Sequence, residues 1–230
     1  GDEDRMTRLD MSEFSDPISA QRLIGGSFGE EGVLTARIRE QPFSVVLLDE
    51  FEKADRLVFD LDPGPGVGWK DIVAAARNVR ERLKALNLES FVKTTGGNGL
   101  HVVVPIKTDA RSRVTWDQNK AFAKAVAEAI RAEAPDRFTT TLAKKARGGK
   151  IFIDYLRNGR MATAVAPWSP RARPGAGIAF PLSWGQVKAG LDPAAFNLWT
   201  YAALLKKPDP WADFRASAVS LKSALKKMGV

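Results

Sequence analysis

From residue 55 onward, the hydrophobic and polar positions of this chain predict alternating strands and helices. Apolar residues recur at helical spacing through 71–88, where Asp71 can cap the start, and again through 119–134, where Pro135 ends the pattern. Short apolar runs predict five strands, at residues 56–62, 90–95, 100–106, 151–156 and 161–167. Because several strands follow one another through short turns, we expect antiparallel pairs with helices packed on one side. This is an α+β fold.

Residues 1–54 predict a separate, short α/β segment. A strand is expected within residues 5–14, a helix over 32–41 and a buried strand over 43–54. Between them, residues 19–32 predict a helical turn that runs into a glycine loop. The four apolar residues at 45–48 are typical of a strand covered on both faces.

Two aspartates in the strand at 56–62 share one face of that strand. Side chains alternate along an extended chain, so Asp60 and Asp62 point one way, opposite to the apolar residues between them. Asp154 stands inside a second apolar strand. Three such carboxylates have the composition of a two-metal site for phosphoryl or nucleotidyl transfer with Mg²⁺ or Mn²⁺. The alternative is that they are hydrogen-bonded structural residues.

Charge separates the two parts of the chain. Residues 1–54 carry 12 acidic and 6 basic side chains, and the remainder carries 15 acidic and 29 basic ones. An excess of this size favours a nucleic acid partner for the second part, although a lysine-rich solvated surface is the alternative. There is no cysteine and one histidine, which excludes disulfides and multi-histidine metal centres. With no apolar run near membrane length, we expect no membrane association and an intracellular, cytoplasmic location.

A glycine-rich turn between two strands is a candidate phosphate-binding element. The sequence TTGGNGLH, residues 94–101, includes Thr95, Gly97, Asn98 and His101. Its backbone N–H groups can approach phosphate oxygens, and His101 can donate to a phosphate or act as an acid. A lone histidine is also commonly satisfied within a core.

Two basic runs flank Asp154, in AKKARGGK (143–150) and SPRARPG (169–175). Arginine side chains match phosphate geometry well, so these runs favour an electropositive wall beside a metal site. The alternative is a pair of solvated loops.

Residues 55–215 resemble the polymerase domain of bacterial ATP-dependent DNA ligase D, of the archaeo-eukaryotic primase superfamily. The resemblance is carried, in order, by DRLVFDLDPG, VKTTGGNGLHVVVPI, GKIFIDYLRNGR, ATAVAPWSPRARPGA and PLSW. It implies a primase-polymerase-like mixed or antiparallel sheet with packed helices. It also implies an enzyme that adds nucleotides, often ribonucleotides with manganese, to DNA ends or gapped DNA during non-homologous end joining.

The same resemblance assigns roles to individual residues. It makes Asp60, Asp62 and Asp154 the catalytic metal ligands for Mn²⁺ or Mg²⁺. The nucleoside triphosphate is then held by residues of the glycine turn and the basic runs, namely Thr95, Gly97, Asn98, His101, Arg147 and Arg171. Thr95 stands where the family usually has serine, and Asn98 stands where a lysine is usual.

The front of the chain instead resembles part of the AAA+ module of Clp-type unfoldases. In that family VVLLDE is the Walker B strand, which implies that Asp49 and Glu50 serve magnesium binding and water activation. The phosphate-binding loop Gly-x4-Gly-Lys-Ser/Thr does not occur, so we do not expect ATP hydrolysis. Nor do we recognise the amino-terminal region of the polymerase family, with its histidine and DNA-binding lysines.

We therefore interpret the chain as a chimera, with an AAA+ fragment at 1–54 and a primase-polymerase-like region at 55–230. Two functions stay open: a metal-dependent nucleotidyltransferase, or an inactive or nucleic-acid-binding chimera that keeps the motif residues only. The sequence does not set the oligomeric state.

Overall fold

The chain forms two compact units, residues 1–53 and 54–230. The computed structural model describes all of the second unit. Of the first unit it describes residues 6–10, 22–23, 25, 31–40 and 45–49.

In its described ranges, the first unit has two parallel strands and, from Val33 to Glu40, a helix. Strand β1 (Met6–Asp10) pairs with β2 (Val45–Asp49), and Met6 lies opposite Val45. Helix α1 (Val33–Glu40) lies between them in the sequence, as its apolar spacing predicts. Most of the predicted glycine loop, together with Glu50, lies outside the described residues.

The second unit is built on one six-stranded sheet. Its strands are β3 (Arg56–Pro63), β4 (Phe91–Thr94), β5 (Leu100–Pro105), β6 (Phe138–Thr139), β7 (Ile151–Asp154) and β8 (Pro181–Leu182). Their order is β6-β7-β3-β5-β4-β8, and every pair is antiparallel except β6 with β7. The helices are α2 (Trp69–Ala85), α3 (Trp116–Glu133), α4 (Tyr201–Leu204) and α5 (Lys222–Met228). The mixed α+β fold expected from the sequence is confirmed.

The two long helices bury their apolar stripes in the main core. The odd-numbered residues of β3, Leu57, Phe59 and Leu61, are fully buried in one cluster with apolar side chains of α2 and α3, among them Val79 and Phe122. Burying a side chain of this size contributes about 1.5–3 kcal/mol. Alternation along β3 therefore makes one face of the sheet the core.

The even-numbered residues of β3 face the other way. At one end of this second face, Val58 and Val103 form a small cluster with Trp211, whose indole Nε1 donates to the backbone oxygen of Val92 at 3.1 Å. Phe91 packs edge-on against Trp211 with ring centroids 5.7 Å apart. Beyond this cluster the second face carries charged side chains.

Three local expectations differ from the structure. Helix α2 begins at Trp69 after Gly68, and Asp71 lies in its first turn, where its carboxylate accepts from the Gly68 N–H at 3.3 Å. The strand expected at 161–167 does not form, because this mostly exposed segment has no neighbouring strand to pair with. Strands β6 and β8 have only two residues each, too few to give a sequence pattern. No helix within the described residues is long and apolar enough to cross a membrane.

Candidate active site

Four ionisable side chains form a row across the second face of the sheet. In the strand register Asp154 of β7 lies opposite Asp60 of β3, Asp60 lies opposite His101 of β5, and His101 lies opposite Lys93 of β4. Residues opposite one another in a sheet point to the same face. Asp62 follows two residues after Asp60, so it shares that face as well.

Asp60 is at the centre of this row and is held as a carboxylate. Its Oδ1 lies 3.2 Å from His101 Nε2, and its Oδ2 lies 3.4 Å from Arg157 Nε. Burial by itself raises the pKa of the Asp60 carboxyl. The hydrogen bond from His101 and the positive charges of His101, Arg157 and Lys93 outweigh that effect and lower it.

His101 lies deep in the face, at 2% exposure, and its Nε2 contacts Asp60. Burial lowers the pKa of its imidazole, and the hydrogen bond to Asp60 opposes this. Its Nε2 donates to the Asp60 carboxylate. Its Nδ1 is buried and has no hydrogen-bond partner among the residues that the structure describes.

Asp62 is more open than Asp60 and lies beside Arg147. Its Oδ2 is 3.4 Å from Arg147 Nη1, and 55% of its side chain is exposed. Burial and then the neighbouring charge of Asp60 raise the pKa of the Asp62 carboxyl. Arg147 is fixed from two sides, since its Nη2 donates to the Leu142 backbone oxygen at 2.8 Å and its guanidinium lies 3.9 Å from the centre of the Phe152 ring.

Asp154 ends β7 and is paired with an arginine that the sequence did not single out. Arg157 Nε lies 3.1 Å from Asp154 Oδ2, and the other oxygen, Oδ1, accepts the Leu156 N–H at 2.9 Å. Burial raises the pKa of the Asp154 carboxyl, against the effect of Arg157. The available signal was the spacing: a tight turn after a strand brings residue i+3 back beside residue i.

Lys93 is the second site residue that sequence reasoning missed. Its side chain is 2% exposed, and its ammonium has no hydrogen-bond partner among the described residues. Burial lowers the pKa of Lys93 to about 7, although the charge of Asp60 opposes this. The alternation argument applied to Asp60 and Asp62 would have found it, since a lysine in the middle of FVKT must project from one face of a buried strand.

Asn158 holds the turn that carries Arg157 against β3. Its side-chain oxygen accepts the Val58 N–H and its amide donates to the Val58 oxygen, both at 2.7 Å, and the amide also donates to the Tyr155 oxygen at 2.8 Å. The side chain is buried and fully bonded. It takes the place of a neighbouring strand where β7 has ended.

The glycine turn lies directly beside the aspartates. A side-chain carbon built on Gly99 would be 2.6 Å from the backbone oxygen of Leu61, the residue between Asp60 and Asp62. Gly96 has a φ of +69°, and a side-chain carbon built on it would be 2.7 Å from the Gly177 oxygen. These contacts explain why the turn needs glycine at both positions.

Most predicted nucleotide-binding residues meet at this turn. Thr95 Oγ1 donates to the Gly99 oxygen at 3.3 Å, and Arg171 Nη1 donates to the Thr95 oxygen at 3.4 Å. The N–H groups of Gly97 and Asn98 make no hydrogen bond within the described residues, and Asn98 is exposed. A side chain at Gly97 would meet the guanidinium of Arg173. The turn and the basic loop thus form one surface.

The donor chemistry of the three aspartates fits a divalent cation, but their side chains are turned to arginines. The mutual repulsion that contributes to the raised pKa values of Asp62 and Asp154 is what a metal ion relieves. Within the described residues, however, no three His, Cys, Asp or Glu side chains converge as a metal-holding group. Asp60 and Asp154 face Arg157, and Asp62 faces Arg147.

Comparison with known proteins gives a consistent result for most of the chain. The family model described as the primase-polymerase domain of LigD matches residues 33–211. The multifunctional non-homologous end joining protein LigD of Pseudomonas aeruginosa is 35% identical over 183 residues, which cover 78% of this chain. The solved polymerase domain from Mycobacterium tuberculosis ligase D, in complex with DNA, is 31% identical with a TM-score of 0.65; the match covers 72% of this chain and 56% of that one. The resemblance inferred from the sequence motifs is confirmed.

A second similarity is shorter. The chaperone protein ClpB of Aquifex aeolicus is 52% identical over 66 residues, or 26% of this chain and 7% of that protein. The Clp-like sequence feature is thus also confirmed, whereas the boundary at residue 54 stays a prediction. The chain spans about a fifth of the length of the P. aeruginosa relative, at 21%.

Proposed function

The chain belongs to the family of LigD primase-polymerase domains, and from this premise we propose that it adds nucleotides to the 3′ ends of DNA. The reaction is metal-dependent nucleotidyl transfer of the kind that fills gaps during end joining. The 3′ oxygen bonds to the α-phosphorus of a nucleoside triphosphate, pyrophosphate leaves with the bridging oxygen, and the hydroxyl proton is released. DNA ends or gapped DNA and nucleoside triphosphates are the proposed partners.

The observation that carries this proposal is the placement of the three carboxylates. Asp60 and Asp154 lie opposite each other on adjacent strands, and Asp62 follows on the same face. We assign all three as ligands for Mn²⁺ or Mg²⁺, which prefer oxygen donors. A bound ion would supply charge neutralisation of the triphosphate and a lower pKa for the attacking hydroxyl.

The glycine turn is the proposed binding site for the triphosphate. Its support is the pair of unused N–H groups at Gly97 and Asn98, next to the guanidinium groups of Arg171 and Arg173. Such groups match phosphate oxygens in both charge and geometry. Thr95 keeps the turn closed through Gly99.

Two further residues complete the assignment. We propose that His101 acts on the nucleotide by orienting Asp60, because its Nε2 is committed to that carboxylate. Arg147 is placed to meet a phosphate beside Asp62, since its guanidinium is held there by Leu142 and Phe152.

Primer extension tests the proposal. The substrate is gapped DNA with a 5′-phosphate, supplied with Mn²⁺ and ribonucleotides, and the parent chain is run beside Asp60→Ala. We expect extension by the parent and none by the variant. If neither extends the primer while both keep a folded circular dichroism spectrum, the chain is the inactive alternative that retains only the motif residues.

A further inference from the structure

Arg157 occupies a position that serves two of the proposed metal ligands at once. Its Nε lies 3.1 Å from Asp154 Oδ2 and 3.4 Å from Asp60 Oδ2. These carboxylates lie opposite each other on adjacent strands. A single guanidinium therefore bridges the two strands and neutralises the repulsion that the pair would otherwise suffer.

The backbone that carries Arg157 is rigid. The turn Leu156–Asn158 is tied to Asp154 through the Leu156 N–H and to β3 through the Asn158 side chain. Any movement of the guanidinium must therefore come from rotation of its own side chain.

The Arg157 side chain is partly open to solvent, so its guanidinium has room to rotate away from the carboxylates. It is 37% exposed, whereas Asp60 and Asp154 are buried, and its Nη1 donates to the backbone oxygen of Thr163 at 3.1 Å. Thr163 lies in the exposed segment that does not form a strand. Rotation toward solvent would break this hydrogen bond and the two ion pairs, and it would uncover both carboxylates.

Arg147 makes an instructive contrast at Asp62. Its guanidinium is stacked on Phe152 and bonded to Leu142, so it has fixed contacts besides the carboxylate. Arg157 has no aromatic ring under its guanidinium among the described residues, and beyond the two carboxylates it donates to the Thr163 oxygen of an exposed segment. The two arginines near the aspartates are thus held differently.

We propose that Arg157 is a built-in counter-cation of the site and that a divalent ion binds by displacing it from Asp60 and Asp154. Arg157 then sets the metal affinity of this protein, because every binding event must break the two ion pairs. The inference rests on the proposed function only in taking these two aspartates as metal ligands. It explains why the carboxylates converge on arginines and not on one another.

Direct measurement of Mn²⁺ binding, by the loss of the free-ion signal in electron paramagnetic resonance, tests this proposal without any activity assay. We expect Arg157→Gln to bind Mn²⁺ at least about tenfold more tightly than the parent chain, as expected for close charge pairs. Arg157→Lys keeps the charge and is expected to stay near the parent. The control Arg137→Gln removes an equal charge from a guanidinium that lies over the Phe138 ring and is expected to leave the affinity unchanged.

The variant Asp60→Asn distinguishes failure of the counter-cation proposal from failure of the metal site itself. If the parent binds Mn²⁺, Asp60→Asn does not, and Arg157→Gln binds with parental affinity, the counter-cation proposal is wrong while the metal site stands. If binding is absent in the parent and in Arg157→Gln alike, the proposed metal-dependent function fails as well. Thermal unfolding of each variant identifies any that does not fold, and Arg157→Lys then provides the comparison.

Discussion

The two faces of strand β3 differ in what they bury: one buries apolar side chains and the other buries charged groups. On one face Leu57, Phe59 and Leu61 are fully buried against two amphipathic helices. On the other face Asp60 is almost as deeply buried, but among charged groups that hold one another in place. The first face follows the hydrophobic rules that select the fold, and the second departs from them. Departures of this kind mark functional positions because folding alone does not favour them.

The largest expected effect is the loss of activity in Asp60→Ala and Asp154→Ala. Each should lower primer extension by about 10³-fold or more, since several kcal/mol of charge stabilisation is lost. Each should also leave the protein folded, because no apolar contact of the main core is removed. Extension assays and urea unfolding on the same preparations measure both effects. If either variant is unfolded at ordinary temperature, these carboxylates are structural.

Phe59→Ala is the counterpart on the other face, one residue away. Removing a fully buried ring from the main core should cost about 3–5 kcal/mol in the free energy of unfolding. Urea unfolding monitored by tryptophan fluorescence gives the value, with the exposed Leu142→Ala as control. A cost below about 1 kcal/mol would mean that the helix-covered face is not the main source of stability.

Lys93→Met tests the cost of burying charge on the second, charged face of the sheet. With a pKa of about 7 in the folded state and 10.5 for the free group, Lys93 is less protonated folded than unfolded between these values. Stability therefore rises with pH across this range, by up to about 4–5 kcal/mol, and is lowest below pH 7. The methionine variant should lose that slope and be more stable than the parent at pH 6.

The control for that experiment is Lys84→Met on the exposed side of α2, which should keep the parental pH dependence. Chemical unfolding at pH 6, 8 and 10 is sufficient. Equal slopes in all three proteins would mean that the Lys93 ammonium is solvated in solution.

The smallest effect concerns DNA binding and its dependence on salt. Affinity should fall steeply with salt, because arginines and lysines near the site release counterions from the phosphates. Arg173→Ala, beside the glycine turn, should lower the slope of log affinity against log salt by about one. Arg82→Ala, on the helix side and paired with Glu133, should leave the slope unchanged. Fluorescence anisotropy at four salt concentrations distinguishes them, and identical slopes would mean that Arg173 contacts no DNA phosphate and serves the triphosphate alone.

The sequence predicts the apolar face far better than the charged one. The stripes of α2 and α3 and the alternation in β3 are local patterns, so periodicity finds them. The side-by-side placement of Asp60, His101 and Asp154 depends on strand register, which no local pattern encodes; the family resemblance supplied the grouping. Arg157 and Lys93 carry local signals, the i+3 spacing and strand alternation, but their partners are fixed only once β7, β3, β5 and β4 are aligned.

The two short edge strands that the sequence did not predict, and the strand wrongly predicted at 161–167, have a similar cause. Strands β6 and β8 form because a longer neighbour offers hydrogen bonds, whereas 161–167 has the composition of a strand and no partner. Whether a segment finds a neighbouring strand to pair with depends on the assembled sheet, so the local sequence does not predict it.

Those short outer strands also bear on how the protein behaves when concentrated. A sheet edge with unpaired backbone groups is a template on which another molecule can add a strand, the first step toward fibrils. Here both edges have only two residues, and one of them, β8, contains Pro181, which has no N–H to offer. The second unit therefore offers other molecules few backbone groups for strand addition. It should stay monodisperse at concentrations where a protein with longer open edge strands would aggregate.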